Sequence, residues 1–547
     1  MKFKTSFAEE IFKRKYAQSE YETWEDRAKI IVNHVCGDVD GTKNNLMEPY
    51  DREQLARHIE NFKFMPGGRY IWYAGRDARF YNNCYLLRLE EDSREAWASL
   101  TQRAMSCLMT GGGIGADVSL CRPSGRTLKR TGGIASGPIP LLHTLNEVGR
   151  NVMQGGSRRS ALYGSMDAGH GDILDFLDAK NWHNILIKGT NSTISDAKKD
   201  DFNYHAPLDM MNISVNYSDD WLHGGNDEVF MRNCHQAMMT GEPGFSFNFG
   251  DKKNETLRNA CTEITSEDDS DVCNLGSVNL ANIESLEEFK DVVNLASKFL
   301  VCGLIRAHLP FKKVEEVRQK NSRIGLGLMG LHEWLLKAGY KYEMNDELKK
   351  WMKVYESESE RSANEHCDRL FLNRPKGYRA IAPTGSISIL AGTSSGVEPV
   401  HSVAYRRRYL VDGTKWKYKF VIDGTAQSLI DQGINPDEIE TANDLANDIE
   451  RRVKFQFELQ KYVDHAISST VNLPAWGSEI NNADHVKEFS SIIRKYGHGL
   501  RGLTFYPEGS RGGQPILPVD YKEALSKRDV EYEDNSEEQC LSGVCNL

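Results

Sequence analysis

From about residue 69 to residue 518, short apolar or β-rich runs alternate with helical patterns, and no low-complexity linker interrupts them. The runs at 114–120, 212–215, 277–280, 379–382 and 502–506 lie between amphipathic stretches such as 141–153 and 444–465. Strands that alternate with helices are covered on both faces, so this texture calls for an α/β architecture built from crossover units. No fixed-period repeat suggests a solenoid. The residues before this body read differently. Residues 8–14 and 24–35 carry apolar side chains at helical spacing among many charges, and Pro66-Gly67-Gly68 ends the region. The end of the chain differs again: residues 529–538 hold six acids and no base. The expected division is an N-terminal helical region over 1–80, an α/β body over 81–518 and a solvated, flexible tail over 519–547.

Charge and hydropathy remove several function classes. Acids outnumber bases 78 to 68, a net charge of −10, so no overall basic field invites nucleic acid or an anionic membrane. No apolar run approaches the ~20 residues that span a bilayer, and the charged start MKFKTSFAEEIFKR lacks the apolar segment of a signal peptide. A soluble, cytoplasmic protein is the expectation. Eleven cysteines argue against a complete disulfide framework, and C-x-x-C, H-E-x-x-H and G-x-x-x-x-G-K-[ST] are all missing, so no metal site is expected.

The chemistry-bearing residues are therefore judged one at a time. Gly325, Gly327 and Gly330 spell the dinucleotide fingerprint G-x-G-x-x-G, which requires a buried strand before it. Residues 318–323 are too polar for that strand, so these glycines are read as allowing close packing at the start of a helix over 331–337. In Asn259-Ala-Cys261-Thr-Glu263 alternate residues can converge, presenting an amide, a thiol and a carboxylate together. Taken alone, Cys261 reads first as a small buried hydrophobe flanked by solvated polar residues. Cys273 and Cys84, each beside asparagine, read as core cysteines until Cys540 and Cys545 are considered. A thiol pair on an acidic tail has no core to fill, but it can reduce an internal disulfide by exchange. The hydroxyl-rich turn Ala382-Pro383-Thr384-Gly385-Ser386-Ile387-Ser388 suits an anion, and Gly111-Gly112-Gly113 permits close approach of a ligand to the backbone. Either could equally be a tight turn.

Together and in this order, these segments resemble the catalytic chain of ribonucleotide reductases: Asn83-Cys84, the 111–115 glycine turn, Gly132-Gly133 with Ser136-Gly137-Pro138, the 155–159 Gly-Gly-Ser-Arg-Arg segment, Asn259/Cys261/Glu263, Cys273-Asn-Leu-Gly-Ser, the 325–330 glycines, Pro383-Thr-Gly-Ser and the terminal cysteine pair. The resemblance implies a ten-stranded α/β barrel with Cys261 on a central finger loop. It implies a thiyl radical on Cys261, Glu263 as general base, Asn259 on the sugar hydroxyls, and Cys84 with Cys273 as the dithiol that reduces the 2′-carbon. Cys540 and Cys545 would then be the tail pair that a thioredoxin- or glutaredoxin-like protein resets. Asn83, Gly112, Gly113, Pro383, Thr384, Gly385, Ser386 and Ser388 would bind the ribonucleoside di- or triphosphate.

The radical source is read from Leu503-Thr504-Phe505-Tyr506. Relatives served by a ferritin-like dimetal subunit carry two adjacent tyrosines there, whereas this chain has Phe505, which cannot relay, before the radical-transfer candidate Tyr506. Adenosylcobalamin is the expected cofactor, and the partner subunit is the alternative, which the ending Cys-Leu-Ser-Gly-Val-Cys favours. No ATP cone is expected over residues 1–83. A homodimer with a dNTP or ATP specificity effector is expected, with residues 191–205 read as a polar loop. A glycyl-radical enzyme would need an Arg-Val-x-Gly-type segment near the C-terminus, which the sequence lacks. A catalytically silent nucleotide-binding protein is the remote alternative, disfavoured because every cysteine the reaction needs is present.

Overall fold

The computed structural model describes residues 3–38, 45–128, 132–152, 160–201, 204–411, 415–510, 516–528 and 530–533. Its strands, in chain order, are β1 (Phe64–Pro66), β2 (Cys84–Arg88), β3 (Gly113–Asp117), β4 (Leu162–Asp167), β5 (Met211–Tyr217), β6 (Gly244–Phe247), β7 (Leu257–Arg258), β8 (Thr265–Ser266), β9 (Asp271–Asn279) and β10 (Ile324–Met329). Six more follow: β11 (Ala404–Val411), β12 (Lys415–Ile422), β13 (Thr470–Leu473), β14 (Gly502–Pro507), β15 (Ile516–Pro518) and β16 (Glu531–Glu533).

Ten of these strands form one sheet. β2, β3, β4, β5 and β6 run parallel to one another, each pair connected through helix. β9 and β10 are parallel, and so are β13 and β14. The two sets meet at antiparallel seams, β2 with β9 and β6 with β14. The remaining gap, from β10 to β13, is spanned by residues 377–382. Leu326 bridges Arg379 and Ile381 bridges Ile467, both in parallel. The bonds are Leu326 N–H to Tyr378 O (2.9 Å), Ala380 N–H to Leu326 O (3.1 Å), Ile381 N–H to Ala466 O (3.2 Å) and Ser468 N–H to Ile381 O (2.9 Å). Backbone hydrogen bonds thus carry nine of the strands and the 377–382 segment through a full circuit, with β1 outside it, which satisfies the backbone polar groups an open edge would expose. The α/β architecture expected from the alternation of elements is observed, and the circuit agrees with the ten-stranded barrel that the resemblance implies.

The helices cover this sheet because their apolar stripes have nowhere else to go. The helix Trp24–Cys36 opens with a capping box between Thr23 and Asp26 and buries Ala28, Ile31, Val32 and Val35. These residues share one core with the helices Leu286–Arg306 and Asp346–Arg369, and with β10. A second core lies under the helices Arg94–Met109, Ile139–Asn151, Asp227–Thr240 and Val486–Gly497, around β3 to β6 and β14. β1, from the N-terminal region, pairs antiparallel with β9.

Four expectations need correction. Gly325 and Gly327 lie inside the fully buried strand β10 rather than at a helix start; the polar residues before it belong to the helix Lys312–Asn321. Close packing is still why glycine is needed, since a Cβ at Gly327 would lie 2.7 Å from Ala380 O. The 444–465 stretch is broken, with helices Ala442–Leu445 and Ile449–Gln460 separated where Asp448 caps the second through Arg451 N–H. The 191–205 segment contains the helix Ile194–Asp200, started by a Thr193/Asp196 capping box. The flexible tail does not begin at 519, because the helix Tyr521–Ser526 packs against the β11–β12 hairpin and β15 and β16 flank that hairpin. Tyr532 stacks on Tyr418 at 5.2 Å, an apolar contact that the acidic composition concealed. Cys540, Cys545 and the 155–159 segment lie outside the described residues. No helix among the described residues is long and apolar enough to cross a membrane.

Candidate active site

Residues 259–264 join β7 to β8 and thread the ring of strands. On one side the loop presses on β3: a Cβ at Gly115 would lie 1.7 Å from Arg258 O, and one at Gly113 would lie 2.8 Å from Ala260 Cβ. Only glycine permits this approach. Across the barrel, Ala466 N–H donates to Glu263 O (2.8 Å) and Thr265 N–H donates to His465 Nδ1 (3.3 Å). Arg258 anchors the base of the loop by donating to Asn248 Oδ1 (2.8 Å) and Arg501 O (3.1 Å). Below it, Arg501 pairs with Glu255 at 2.9 Å. Burial pushes the Glu255 carboxyl up, but Arg501 and Arg323 prevail and hold it at about 2. This charged floor fixes the loop that the resemblance placed at the centre.

The loop delivers its side chains into one cavity of about 220 Å³ that opens to solvent. Cys261 is the one exposed thiol among the described cysteines; the other eight are buried, and all nine are outside disulfides. Glu263 is buried, with Oε1 3.6 Å from the Cys84 thiol and Oε2 buried without a hydrogen-bond partner. Burial raises the Glu263 carboxyl above its ordinary value. Asn259 Nδ2 lies 2.9 Å from Cys84 Sγ, and its Oδ1 accepts from Ile264 N–H (2.9 Å), so this amide fixes both the loop and the thiol.

Cys84 and Cys273 occupy opposed register positions on the antiparallel seam of β2 and β9. Opposed antiparallel residues have Cα atoms about 4.5–5.5 Å apart, within the span of a disulfide. Both thiols are pushed well up, Cys84 by burial and the Glu263 carboxylate, Cys273 by burial and Asp271. They are held as S–H groups, able to give hydrogen, rather than as thiolates.

The far wall is the turn after the closing strand. Pro383, Thr384, Gly385 and Ser386 line the cavity, as do Asn83, Gly111 and Gly113. Thr384 takes a left-handed backbone (φ 53°), its Oγ1 accepts from Gly396 N–H (2.7 Å), and it precedes the helix Gly385–Ala391. Thr262, between Cys261 and Glu263, is also left-handed (φ 70°). These two are the only β-branched residues in that conformation among the described residues, and such strain concentrates at functional sites. Two expected substrate-binding residues stand apart from the cavity lining, as does Cys273. A Cβ at Gly112 would meet the Tyr85 ring at 2.4 Å, so that glycine serves packing. Ser388 is buried, with its hydroxyl on Ser395 Oγ at 2.8 Å.

Tyr506 lies on β14, half-buried, paired in register with Asn472. Strand alternation sends Phe505 to the opposite face, where it packs on Phe489 (4.7 Å) and Phe245 (5.9 Å). Sequence reading missed the part of the lining drawn from before residue 81: Tyr16, Gly67, Gly68 and Arg69. The Pro-Gly-Gly-Arg run was visible, but it read as a terminator rather than as a wall.

Comparison with known proteins agrees with this geometry. The family model described as "Ribonucleotide reductase, barrel domain" matches residues 82–222, 227–358 and 376–506. A protein of Mycobacterium tuberculosis (strain CDC 1551 / Oshkosh) named vitamin B12-dependent ribonucleoside-diphosphate reductase is 27% identical over 530 residues, covering 88% of this chain and 75% of its own. A Mycobacterium phage D29 protein named as a putative adenosylcobalamin-dependent ribonucleoside-triphosphate reductase is 24% identical, covering 96% of each chain. Among solved structures, the Actinobacillus ureae class Id ribonucleotide reductase alpha subunit superposes with a TM-score of 0.69 at 19% identity, covering 92% of this chain and 97% of its own, a likeness of fold. With the family's barrel matched over most of its length, the chain belongs to the ribonucleotide reductases.

Proposed function

We propose that this chain reduces ribonucleoside di- or triphosphates to 2′-deoxyribonucleotides through a thiyl radical on Cys261. One observation carries the reading: two thiols, Cys84 and Cys261, and a buried carboxylate with an unpartnered oxygen line a single cavity, with Cys273 behind it in register with Cys84. The Cys261 radical takes the 3′-hydrogen of the ribose. Glu263 Oε2, which has no protein partner, accepts the 3′-hydroxyl proton. The C2′–O bond breaks and the hydroxyl leaves as water with a proton from one thiol. The second thiol's hydrogen forms the new C2′–H bond, the pair gives up two electrons and ends as a Cys84–Cys273 disulfide, and Glu263 returns its proton to the 3′-oxygen. Cys261 then returns hydrogen to C3′ and is again a radical. The loop, closed in by barrel walls, limits the water and oxidants that would quench these species. Cys540 and Cys545 reopen the disulfide by exchange, and a thioredoxin- or glutaredoxin-like protein reduces the tail.

For the radical source we favour adenosylcobalamin, which when bound supplies a homolytic oxidant for the Cys261 thiol. The residues fit that role: Cys261 alone among the described cysteines is exposed and would face the donor directly. Two of the relatives above are named for this cofactor. The competing source is a ferritin-like dimetal subunit delivering its radical through Tyr506, and the fold likeness to a class Id alpha subunit keeps that reading open. A homodimer regulated by a dNTP or ATP effector completes the proposal. The test is an assay of the purified chain with adenosylcobalamin, a small dithiol and mixed ribonucleotides. Deoxyribonucleotide formation is the expected result. No product without a metal-containing partner, and product with it, would replace the cofactor while leaving the site intact.

A further inference from the structure

The N-terminal region reaches the active site through one short element. Residues Phe12–Tyr16 form a single π-helical turn after the helix Ser6–Ile11, and such turns recur at functional positions. The segment from Lys4 to Tyr16 is fastened to the helix Gly385–Ala391 at both ends. Before the helix Ser6–Ile11, Lys4 Nζ donates to Gly392 O (3.1 Å) and approaches Glu333 at 3.6 Å. At the near end Lys15 Nζ donates to Ser386 Oγ (3.2 Å), a contact between residues 371 positions apart. Tyr16 itself lines the cavity, and its hydroxyl lies 3.1 Å from where a Cβ of Gly68 would be.

Three consecutive cations occupy this turn, and they are not equivalent. Lys13 pairs with Glu9 and Arg14 with Glu10, each at 3.0 Å and one helical turn away. Lys15 points the other way, to a hydroxyl that lines the cavity. Among the described residues the cavity wall holds one cation, Arg69, pressed against Gly111, and one acid, Glu263. A nucleoside polyphosphate carries several negative charges, and Lys15 would add a second cation to meet them. The matched family segment begins at residue 82, so Lys15 belongs to the part of the chain outside that match.

We infer that Lys15, held in place by Ser386, is a recognition residue for the substrate's terminal phosphate. The inference rests on the reductase reading of the same cavity. Lys15 supplies charge at the rim, the 383–386 turn supplies hydroxyls, and Glu263 with the thiols faces the ribose. An ammonium makes a point-charge contact with phosphate that glutamine cannot replace, although glutamine can still donate to Ser386 Oγ.

The experiment is equilibrium binding by calorimetry on the full chain, using a ribonucleoside diphosphate and the matching ribonucleoside as probes. Lys15→Gln should weaken the diphosphate at least about tenfold, the effect of losing one charge-assisted hydrogen bond. It should leave nucleoside affinity and melting temperature near those of the parent, and should flatten the salt dependence of diphosphate binding. Lys15→Arg should recover most of the loss. Diphosphate affinity unchanged in Lys15→Gln, or equal losses for diphosphate and nucleoside, would overturn the inference while an active parent protein keeps the reductase reading. A parent protein that binds no ribonucleotide would overturn both.

Discussion

Cys84 and Cys273 face each other across one of the two antiparallel seams at which the parallel halves of the barrel join. That seam places two protonated thiols in register beside the Glu263 carboxyl, which turns a strand junction into a candidate redox centre. A single turnover run without reductant should therefore leave a Cys84–Cys273 disulfide, detectable as a cross-linked peptide pair by mass spectrometry. Both thiols free after stoichiometric product formation would assign the electrons to another donor.

Cys261→Ser should give no turnover above background while keeping the fold and nucleotide binding. The hydroxyl O–H is far harder to convert into a radical than the thiol S–H, and the change in volume is small. Circular dichroism and calorimetry would confirm an intact protein. Residual activity at more than a small fraction of the parent would remove Cys261 from its central role.

Glu263→Gln separates catalysis from stability. Burial raises this carboxyl, so its protonated form is the one the fold favours. Its stabilising contribution is complete below the unfolded pKa and is lost as pH rises through the folded value. At neutral pH the glutamine variant should melt higher than the parent, with the gap closing as pH falls toward the unfolded carboxyl range. Its turnover should drop by roughly 10²–10⁴-fold, the usual worth of a positioned base. A variant that melts lower at neutral pH would contradict the burial argument.

The double variant Cys540→Ser, Cys545→Ser should stall with a protein reductant yet turn over with a small dithiol that enters the cavity directly. Equal rates with both reductants would show that the tail pair is dispensable.

Tyr506→Phe tests the radical route. With adenosylcobalamin as the source, activity should fall only by the few-fold that one lost hydrogen bond of about 1 kcal/mol allows. A dead variant, rescued in the parent by a metal-containing partner protein, would place Tyr506 on a relay.

The candidate centre of the site was legible because its chemistry is local: Asn259, Cys261 and Glu263 share six residues of loop, and the run at 379–382 marked the segment that bridges β10 to residues 466–468. What it concealed was long-range. Tyr16 and Arg69 line the cavity and Lys15 reaches its rim through Ser386, 371 positions away, by contacts that leave no periodicity to read. β10 escaped notice because two glycines and no β-branched residue after Ile324 make a poor strand signature. Phe505 read as a broken relay, yet alternation along β14 makes it a core residue on the opposite face from Tyr506.

The seam between β2 and β9 has a mechanical side. If each turnover joins Cys84 to Cys273, roughly 190 residues of chain become a closed covalent loop and the two halves of the barrel are stapled together. On the chain-entropy model a loop of that length stabilises the fold by up to about 5 kcal/mol. The spent enzyme, waiting for its reductant, would then resist heat and proteases better than the enzyme ready to react.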